Sequence, residues 1–148
     1  MKSLGLDPPI LDAVRALGID EFTEPQVRAI PRILAGAHVL LVAPTGIGKT
    51  EAAFLPILQG LLQEKPKPTS CLYITPLRAL NRDMLRRMTF FAERLGIRVA
   101  VRHGDTSPQE RAAITRHPPD VLITTPETFQ ILMTGRRLRE HLKSVRWV

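Results

Sequence analysis

Residues 39–50 of the chain read Val-Leu-Leu-Val-Ala-Pro-Thr-Gly-Ile-Gly-Lys-Thr. The first five residues are apolar and stand between turn formers, a pattern typical of a short strand buried on both faces of a parallel sheet. Two glycines follow, and then a helical stretch from Lys49 to about Gln63. A strand, a glycine-rich loop and a helix in this order predict a phosphate-binding loop, because backbone N–H groups can curl around a phosphate at the positive end of the new helix.

The loop supplies the side chains that this chemistry needs. The Lys49 ammonium would reach the β- and γ-phosphates of ATP, and the Thr50 hydroxyl would help to hold Mg²⁺, so these two are the candidate catalytic residues. The general pattern has glycine where this sequence has Ala43, and an ordinary strand–helix turn is the alternative interpretation. The candidate ATP-binding residues of the loop are Thr45, Gly46, Ile47, Gly48, Lys49 and Thr50.

Apolar runs and helical patterns alternate along the rest of the chain. Strands are predicted at 71–74, 97–101 and 121–123, and residues 145–148 resemble the opening of another buried strand. Helices are predicted at 7–18, 26–35, 77–95, 108–115 and 126–133, with a loop at 66–68. This alternation predicts an α/β fold, in which right-handed crossovers build a parallel β-sheet with helices on both faces.

The positive charge of the chain is unevenly distributed. The formal net charge is +7 over 148 residues; residues 1–60 carry five basic and six acidic side chains, whereas residues 61–148 carry 16 basic and eight acidic ones. A basic excess in the later part favours a polyanionic partner such as nucleic acid, with a merely basic soluble surface as the alternative. The spacing of the four histidines fits no metal site, so we expect none of them to be a metal ligand.

Cysteine content and hydropathy bear on the cellular compartment. The single cysteine, Cys71, excludes an internal disulfide framework, and its place at the start of a predicted strand is typical of a small buried apolar residue. No apolar stretch approaches the length of a membrane span. We therefore expect a cytoplasmic protein that has no membrane partner.

Three arginines recur at intervals of four residues in the predicted helix 77–95. Arg78, Arg82 and Arg86 would share one face of that helix, and a solvated surface is the alternative role for the last two. The apolar face opposite them would comprise Leu77, Leu80, Met84, Met88 and Phe91.

Several short motifs stand in an order that resembles superfamily 2 helicases. Residues 43–50 are similar to the nucleotide-binding motif of that superfamily, and residues 22–26, Phe-Thr-Glu-Pro-Gln, resemble its Q motif. Downstream, residues 75–80 resemble motif Ia, residues 103–106 take the place of a glycine-containing turn, and residues 124–127 resemble motif Ib. The sequences of residues 45–56, 102–106 and 118–127 are most similar to the large helicase-related (Lhr) family.

The resemblance implies roles for individual residues. Gln26 would hydrogen-bond the adenine edge, and Ile47 departs from the small residue that the family usually has at its position. Motifs Ia and Ib and the turn between them would grip the backbone of single-stranded DNA or RNA, or of a DNA–RNA hybrid. The implied nucleic-acid-binding residues are Pro76, Arg78, Gly104, Asp105, Thr125, Pro126 and Glu127.

The resemblance also implies boundaries and an activity. Residues 1–36 would be the Q-motif helical segment and residues 37–148 a partial RecA-like P-loop domain that ends just before the Walker B motif. The parent protein would be an ATP-dependent helicase, and this fragment alone would not hydrolyse ATP, because the Walker B carboxylates would follow Val148. The alternatives are a DEAD-box-like RNA helicase fragment, a non-catalytic basic nucleic-acid-binding module and a P-loop NTPase that acts on protein partners.

Overall fold

The computed structural model describes residues 2–64 and 69–148. Its contacts divide the chain into two compact units, one ending at Glu64 and the other containing the described residues from 69 to 148. The loop predicted at 66–68 lies outside the described residues. The predicted boundary at residue 36 divides the chain by the function of its motifs, whereas the division after Glu64 is based on contacts. The boundary at residue 36 therefore stays a prediction.

Three helices form the first unit: α1 (Pro8–Ala16), α2 (Glu24–Leu34) and α3 (Lys49–Glu64). The apolar side chains of α3 recur at helical spacing, which buries a stripe against α1 and α2. Side chains that are almost completely buried in this unit include Ile10, Val14, Ile30, Phe54, Leu55, Leu58 and Leu61. These helices match the three predicted for this region, with no end shifted by more than two residues.

The strand predicted at residues 39–43 is absent from the described residues. The segment has no regular secondary structure and no strand partner there, and Leu40 and Val42 are 91% and 84% exposed. A strand exists only where a neighbour accepts and donates its backbone hydrogen bonds. An apolar sequence favours burial, but it does not determine whether a neighbouring strand is present. The prediction of a buried strand at residues 39–43 is therefore wrong for this structure.

The second unit is built on a three-stranded parallel sheet. Its strands are β1 (Cys71–Ile74), β2 (Val99–Arg102) and β3 (Val121–Thr124), and β3 lies between the other two. The helices are α4 (Arg82–Arg94), α5 (Pro108–Arg116), α6 (Pro126–Thr134) and α7 (Arg136–His141). The predicted α/β fold with a parallel sheet is confirmed.

Alternating side chains give the sheet two covered faces. Leu72 and Leu122, which are in register, pack on Ile114 of α5 and Leu132 of α6. The adjacent residue Tyr73 points to the opposite face, where its hydroxyl lies 4.0 Å from the sulfur of Met84 in α4. Helices therefore cover both faces of this sheet, as predicted.

The predicted helix 77–95 is broken in the structure. A single 3₁₀ turn (Leu77–Ala79) follows β1, and α4 begins only after Asn81, whose side chain accepts a hydrogen bond of 2.8 Å from the Met84 N–H. Asparagine is a strong helix N-cap, and this signal outweighs the helical spacing of the arginines. Arg78 is thus not on the helix of Arg82 and Arg86, so the predicted single arginine stripe is wrong.

The apolar face predicted for that helix is correspondingly shorter. Met88 and Phe91 are buried, whereas Leu77 is exposed. Near the carboxyl terminus, Trp147 forms one parallel bridge to Cys71, and its carbonyl accepts a hydrogen bond of 2.9 Å from the Leu72 N–H. The strand predicted at 145–148 is therefore reduced to pairing at one residue.

Among the described helices, none has both the length and the apolar content needed to cross a membrane.

Candidate nucleotide and nucleic-acid sites

The predicted phosphate-binding loop has the backbone conformation that such a loop needs. Gly46 and Gly48 have φ angles of +79° and +82°, in the left-handed region that other residues adopt only with strain. A Cβ on Gly48 would also lie 2.3 Å from Nε2 of Gln26, so the Gln26 side chain would have to move, whereas a Cβ on Gly46 would meet nothing within 4 Å. The two glycines bend the chain into the start of α3, where the first-turn N–H groups are available.

The Lys49 side chain folds back over this loop. Its ammonium donates hydrogen bonds of 2.6 Å to the carbonyls of Ala43 and Pro44. These acceptors are neutral, so they hold the ammonium at the loop without neutralising its charge. The arrangement leaves a full positive charge beside the amino terminus of α3, which is the chemistry an anionic phosphate group requires.

Two residues of the Q motif, at the start of α2, form hydrogen bonds to the phosphate loop. Gln26 is buried; its Oε1 accepts from the Thr23 N–H at 3.0 Å, and its Nε2 donates to the Gly48 carbonyl at 3.1 Å. The Thr23 hydroxyl donates to the Ile47 carbonyl at 3.0 Å. One residue pair therefore caps α2 and holds two consecutive carbonyls of the phosphate loop. Contact between Gln26 and adenine stays a prediction.

Residues near the loop differ in what they offer a metal ion. Thr50 lies in the first turn of α3. Glu51, the next residue, is buried, and its Oε2 lies near Gly48, 3.5 Å from where a Cβ of that residue would be. The described residues contain no group of three or more His, Cys, Asp or Glu side chains that could hold a metal ion. Mg²⁺ needs few protein oxygens when phosphates supply the others, and one hydroxyl fits that requirement.

Ile47 also borders an open cavity of the first unit. The cavity has a volume of about 610 Å³ and is lined by α2 and by residues 39–44, which precede the glycines of the loop. The departure of Ile47 from the small residue of related loops therefore places an apolar side chain on this wall, while its carbonyl is held by Thr23.

In the second unit, the predicted nucleic-acid-binding residues follow the carboxyl ends of the three strands. Pro76 and Arg78 come directly after β1, and both are exposed. Because the strands are parallel and in register, their ends meet at one edge of the sheet. The structure thus brings all seven predicted residues to that edge: Pro76, Arg78, Gly104, Asp105, Thr125, Pro126 and Glu127.

The turn after β2 is stabilised by its own hydrogen bonds. The His103 N–H donates to the Thr106 hydroxyl at 2.9 Å, and the Asp105 N–H donates to Nδ1 of His103 at 3.2 Å. The Gly104 carbonyl accepts from Nη2 of Arg111 at 2.5 Å. Gly104 and Asp105 remain exposed at the tip of this ordered turn.

After β3, the amino terminus of α6 is exposed, whereas the Thr125 hydroxyl is buried. Thr125 is buried, and its hydroxyl accepts from the Thr128 N–H at 3.3 Å, which caps α6. Pro126 and Glu127 form the exposed first turn of that helix. In this conformation the Thr125 hydroxyl is engaged within the protein, and its contact with a strand stays a prediction.

The family of the chain is established by comparison with known proteins. A sequence profile described as DEAD/DEAH box helicase matches residues 23–148, which is most of the chain. The chain belongs to the DEAD/DEAH box helicase family. The motif resemblance seen in the sequence is therefore confirmed at the level of the family.

Relatives of this DEAD/DEAH box helicase chain include Lhr proteins. ATP-dependent helicase Lhr-Core of Sulfolobus acidocaldarius is 43% identical over 86% of this chain and 16% of its own length. The structure of Mycobacterium smegmatis helicase Lhr bound to ssDNA and AMP-PNP superposes with a TM-score of 0.79 at 40% identity, over 99% of this chain and 20% of that one. The chain thus spans about one sixth of the length of the Lhr-Core relative.

An RNA helicase is also structurally similar. Prp28 from Chaetomium thermophilum bound to ADP superposes with a TM-score of 0.81 at 32% identity, over 92% of this chain and 34% of that one. The shared fold is that of RecA-like helicase domains, which confirms the predicted fold class. The higher identity to Lhr proteins favours the Lhr type over the alternative of a DEAD-box-like RNA helicase.

Sequence reasoning about this helicase chain missed two residues that hold the sites in shape. Thr23 has a visible signal, since threonine followed three residues later by glutamine is a capping box, although its bond to Ile47 is not implied by that pattern. No local sequence pattern indicates the role of Arg111, because its hydrogen-bond acceptor, the Gly104 carbonyl, lies seven residues earlier in the turn before α5.

Proposed function

We propose that this chain is the ATP- and strand-binding part of an ATP-dependent nucleic-acid helicase or translocase of superfamily 2, of the Lhr type. The observation that carries the proposal is the phosphate loop, with two left-handed glycines and an ammonium that donates to two neutral carbonyls at the start of α3. The DEAD/DEAH family to which the chain belongs consists of ATP-dependent enzymes, and the Lhr-Core relatives are named as ATP-dependent helicases.

The roles of the loop residues follow from their chemistry. Backbone N–H groups of residues 45–50 would surround the phosphates, and Lys49 would exchange its carbonyl acceptors for phosphate oxygens, which are charged and so bind an ammonium more strongly. Thr50 would supply the hydroxyl ligand to Mg²⁺, which neutralises phosphate charge when it is bound. Gln26 would read the adenine edge while its bond to Gly48 ties base recognition to the loop.

Gly104 supports the proposal that this edge of the sheet binds a strand, because the fold does not explain why glycine stands there. Gly104 does not have a positive φ, and a Cβ added to it would meet nothing within 4 Å, so the fold itself does not require glycine there. The remaining reason for glycine is close approach of a ligand to the backbone. We propose a single strand of DNA, or an RNA strand or DNA–RNA hybrid, as that ligand. A cytoplasmic location would give the protein both ATP and nucleic acid.

The nucleotide site is tested by titrating the full-length protein with a fluorescent ATP analogue. Lys49→Ala should weaken binding about tenfold or more, because a hydrogen bond to a charged group contributes about 1.5–3 kcal/mol. Lys2→Ala removes an exposed lysine of the same unit outside the loop and should leave the affinity unchanged. Equal binding by Lys49→Ala and the wild type would show that the loop assignment is wrong.

The strand-binding edge is tested with a labelled single-stranded oligonucleotide. Gly104→Val should weaken strand binding without lowering the melting temperature, because a Cβ at this exposed position meets no protein atom within 4 Å and the added side chain would obstruct an approaching ligand. Gly135→Val, at the far end of α6 where φ is −83°, is the matched control. Unchanged strand affinity in Gly104→Val would instead favour a site elsewhere on the basic surface.

A further inference from the structure

A pair of arginines lies beside the Gly104 turn, at the edge where the three strands end. Arg102 is the last residue of β2, and its carbonyl accepts a hydrogen bond of 2.8 Å from the Thr124 hydroxyl of β3. Arg111 lies in α5 and reaches back to the Gly104 carbonyl. Arg102 and Arg111 are thus both held at the same edge of the sheet, Arg102 by its backbone carbonyl and Arg111 by its guanidinium.

The charges of this pair are not neutralised within the described part of the chain. Neither Arg102 nor Arg111 forms an ion pair with a described acidic side chain. Arg111 is bonded to the carbonyl of Gly104, which lies two residues after Arg102. Burial lowers the pKa of Arg102, and the nearby positive charge of Arg111 lowers it further. Two adjacent cations without a counter-ion repel each other, and a bound anion would relieve that repulsion.

The hydrogen bonding of Arg111 is also incomplete. Its Nη2 donates to Gly104, but its Nε is buried and has no hydrogen-bond partner among the described residues. A buried donor without an acceptor costs free energy, and guanidinium geometry matches phosphate oxygens in pairs. Because this Nε is shielded from solvent, a phosphate would compensate for the cost only after the Arg111 side chain shifts towards it.

We propose that Arg102 and Arg111 form a phosphate-binding pair that contacts the backbone of the bound nucleic-acid strand next to Gly104. This inference rests on the proposed strand-binding function and assigns to it two arginines that are not among the seven nucleic-acid-binding residues implied by the family resemblance. The pair supplies positive charge at an edge where Asp105 and Glu127 are both exposed and negative. Arg111 has a second effect, because its bond to the Gly104 carbonyl fixes the turn that the strand must approach.

The test is the salt dependence of strand binding by the full-length protein, measured by fluorescence anisotropy with a labelled single-stranded oligonucleotide. Each phosphate contact that is lost should reduce the slope of log affinity against log salt by about 0.7 for a single strand. Arg102→Gln and Arg111→Gln should each show this reduction, and Arg102→Lys should keep the wild-type slope because it keeps the charge. Arg116→Gln is the matched control, since Arg116 lies at the other end of α5 and bonds the Ala112 carbonyl of its own helix.

The outcomes separate this proposal from the proposed function. A wild-type protein that binds the strand with a salt-dependent affinity, together with unchanged slopes in both glutamine variants, would overturn the arginine pair and leave the strand-binding function intact. Weaker binding at an unchanged slope would also overturn it, because the arginines would then only shape the turn. If the wild type does not bind the strand at all, the proposed function fails and this inference fails with it. Circular dichroism establishes that each variant is folded.

Discussion

Replacing Gly48 by alanine should destabilise the first unit much more than replacing Gly46. Both glycines have φ near +80°, so each substitution carries the left-handed strain of about 1 kcal/mol that a Cβ imposes. At Gly46 nothing else is disturbed, because a Cβ there meets no atom within 4 Å. At Gly48 the Cβ would lie 2.3 Å from Nε2 of Gln26, so that buried side chain must move.

The additional cost at Gly48 follows from what Gln26 loses. Displacing its amide breaks the bond to the Gly48 carbonyl and the capping bond from the Thr23 N–H. Each hydrogen bond contributes about 1 kcal/mol, so Gly48→Ala should cost about 2 kcal/mol more than Gly46→Ala. For a urea dependence of about 2 kcal/mol per molar, the midpoint of Gly48→Ala should lie about 1 M below that of Gly46→Ala.

The measurement is urea unfolding followed by circular dichroism at a helical wavelength. The only tryptophan, Trp147, belongs to the second unit, so its fluorescence reports the unfolding of that unit separately. In a Gln26→Ala background the clash is removed, and the two alanine substitutions should then cost nearly the same. The steric reasoning is refuted if the two single variants unfold at the same urea concentration, or if the extra cost of Gly48→Ala persists without the Gln26 side chain.

Three further predictions concern the second unit. Asn81→Ala should lower the free energy of unfolding by about 1 kcal/mol, because α4 loses its cap bond from Met84; an unchanged Trp147 fluorescence midpoint in urea would contradict this. Burial raises the pKa of Cys71 from 9.0 to about 12, so a thiol reagent at about pH 8 should label this residue only after unfolding. Since the unfolded thiol ionises first, stability should decrease as the pH rises from 9.0 towards 12, and Cys71→Ala should lack this decrease. Hydrogen bonds from Ser107 lower the pKa of Glu110 below its ordinary 4.5, so their stabilising effect is present above that pH and is lost as the pH falls. Ser107→Ala removes the hydroxyl bond and should raise the pKa of Glu110 in an NMR titration, and an unmoved titration curve would exclude that bond as a cause.

Most elements of the second unit could be predicted because their signals are local. The strand at Cys71–Ile74 was predicted residue for residue, since a short apolar run between turn formers needs only its own sequence to be recognised. The strand at Val121–Thr124 was predicted to within one residue, and α5 began at Pro108 as expected because proline is favoured in the first helical turn. The break at Asn81 was missed although its signal is equally local.

The candidate sites were predictable as motifs but not as contacts. The order of residues 43–50 was sufficient to predict a phosphate loop, and the positive φ angles of Gly46 and Gly48 agree with it. The bond from Gln26 to Gly48 joins residues 22 positions apart, and no periodicity or propensity encodes such a pair. The same holds for Arg111 and the Gly104 carbonyl, whose bond depends on how the turn after β2 is folded.

The sequence by itself determined the class of the fold, the order of its elements and the glycine-rich loop, because these depend on residue type and spacing over short stretches. Only the tertiary structure decided which segments have partners. Residues 39–43 have the apolar character of a buried strand yet remain unpaired in the described chain, whereas β1, β2 and β3 acquire partners and bring three distant turns to one edge. The physical reason is that backbone hydrogen bonds between strands, and the charges gathered at their ends, come from residues far apart in the sequence.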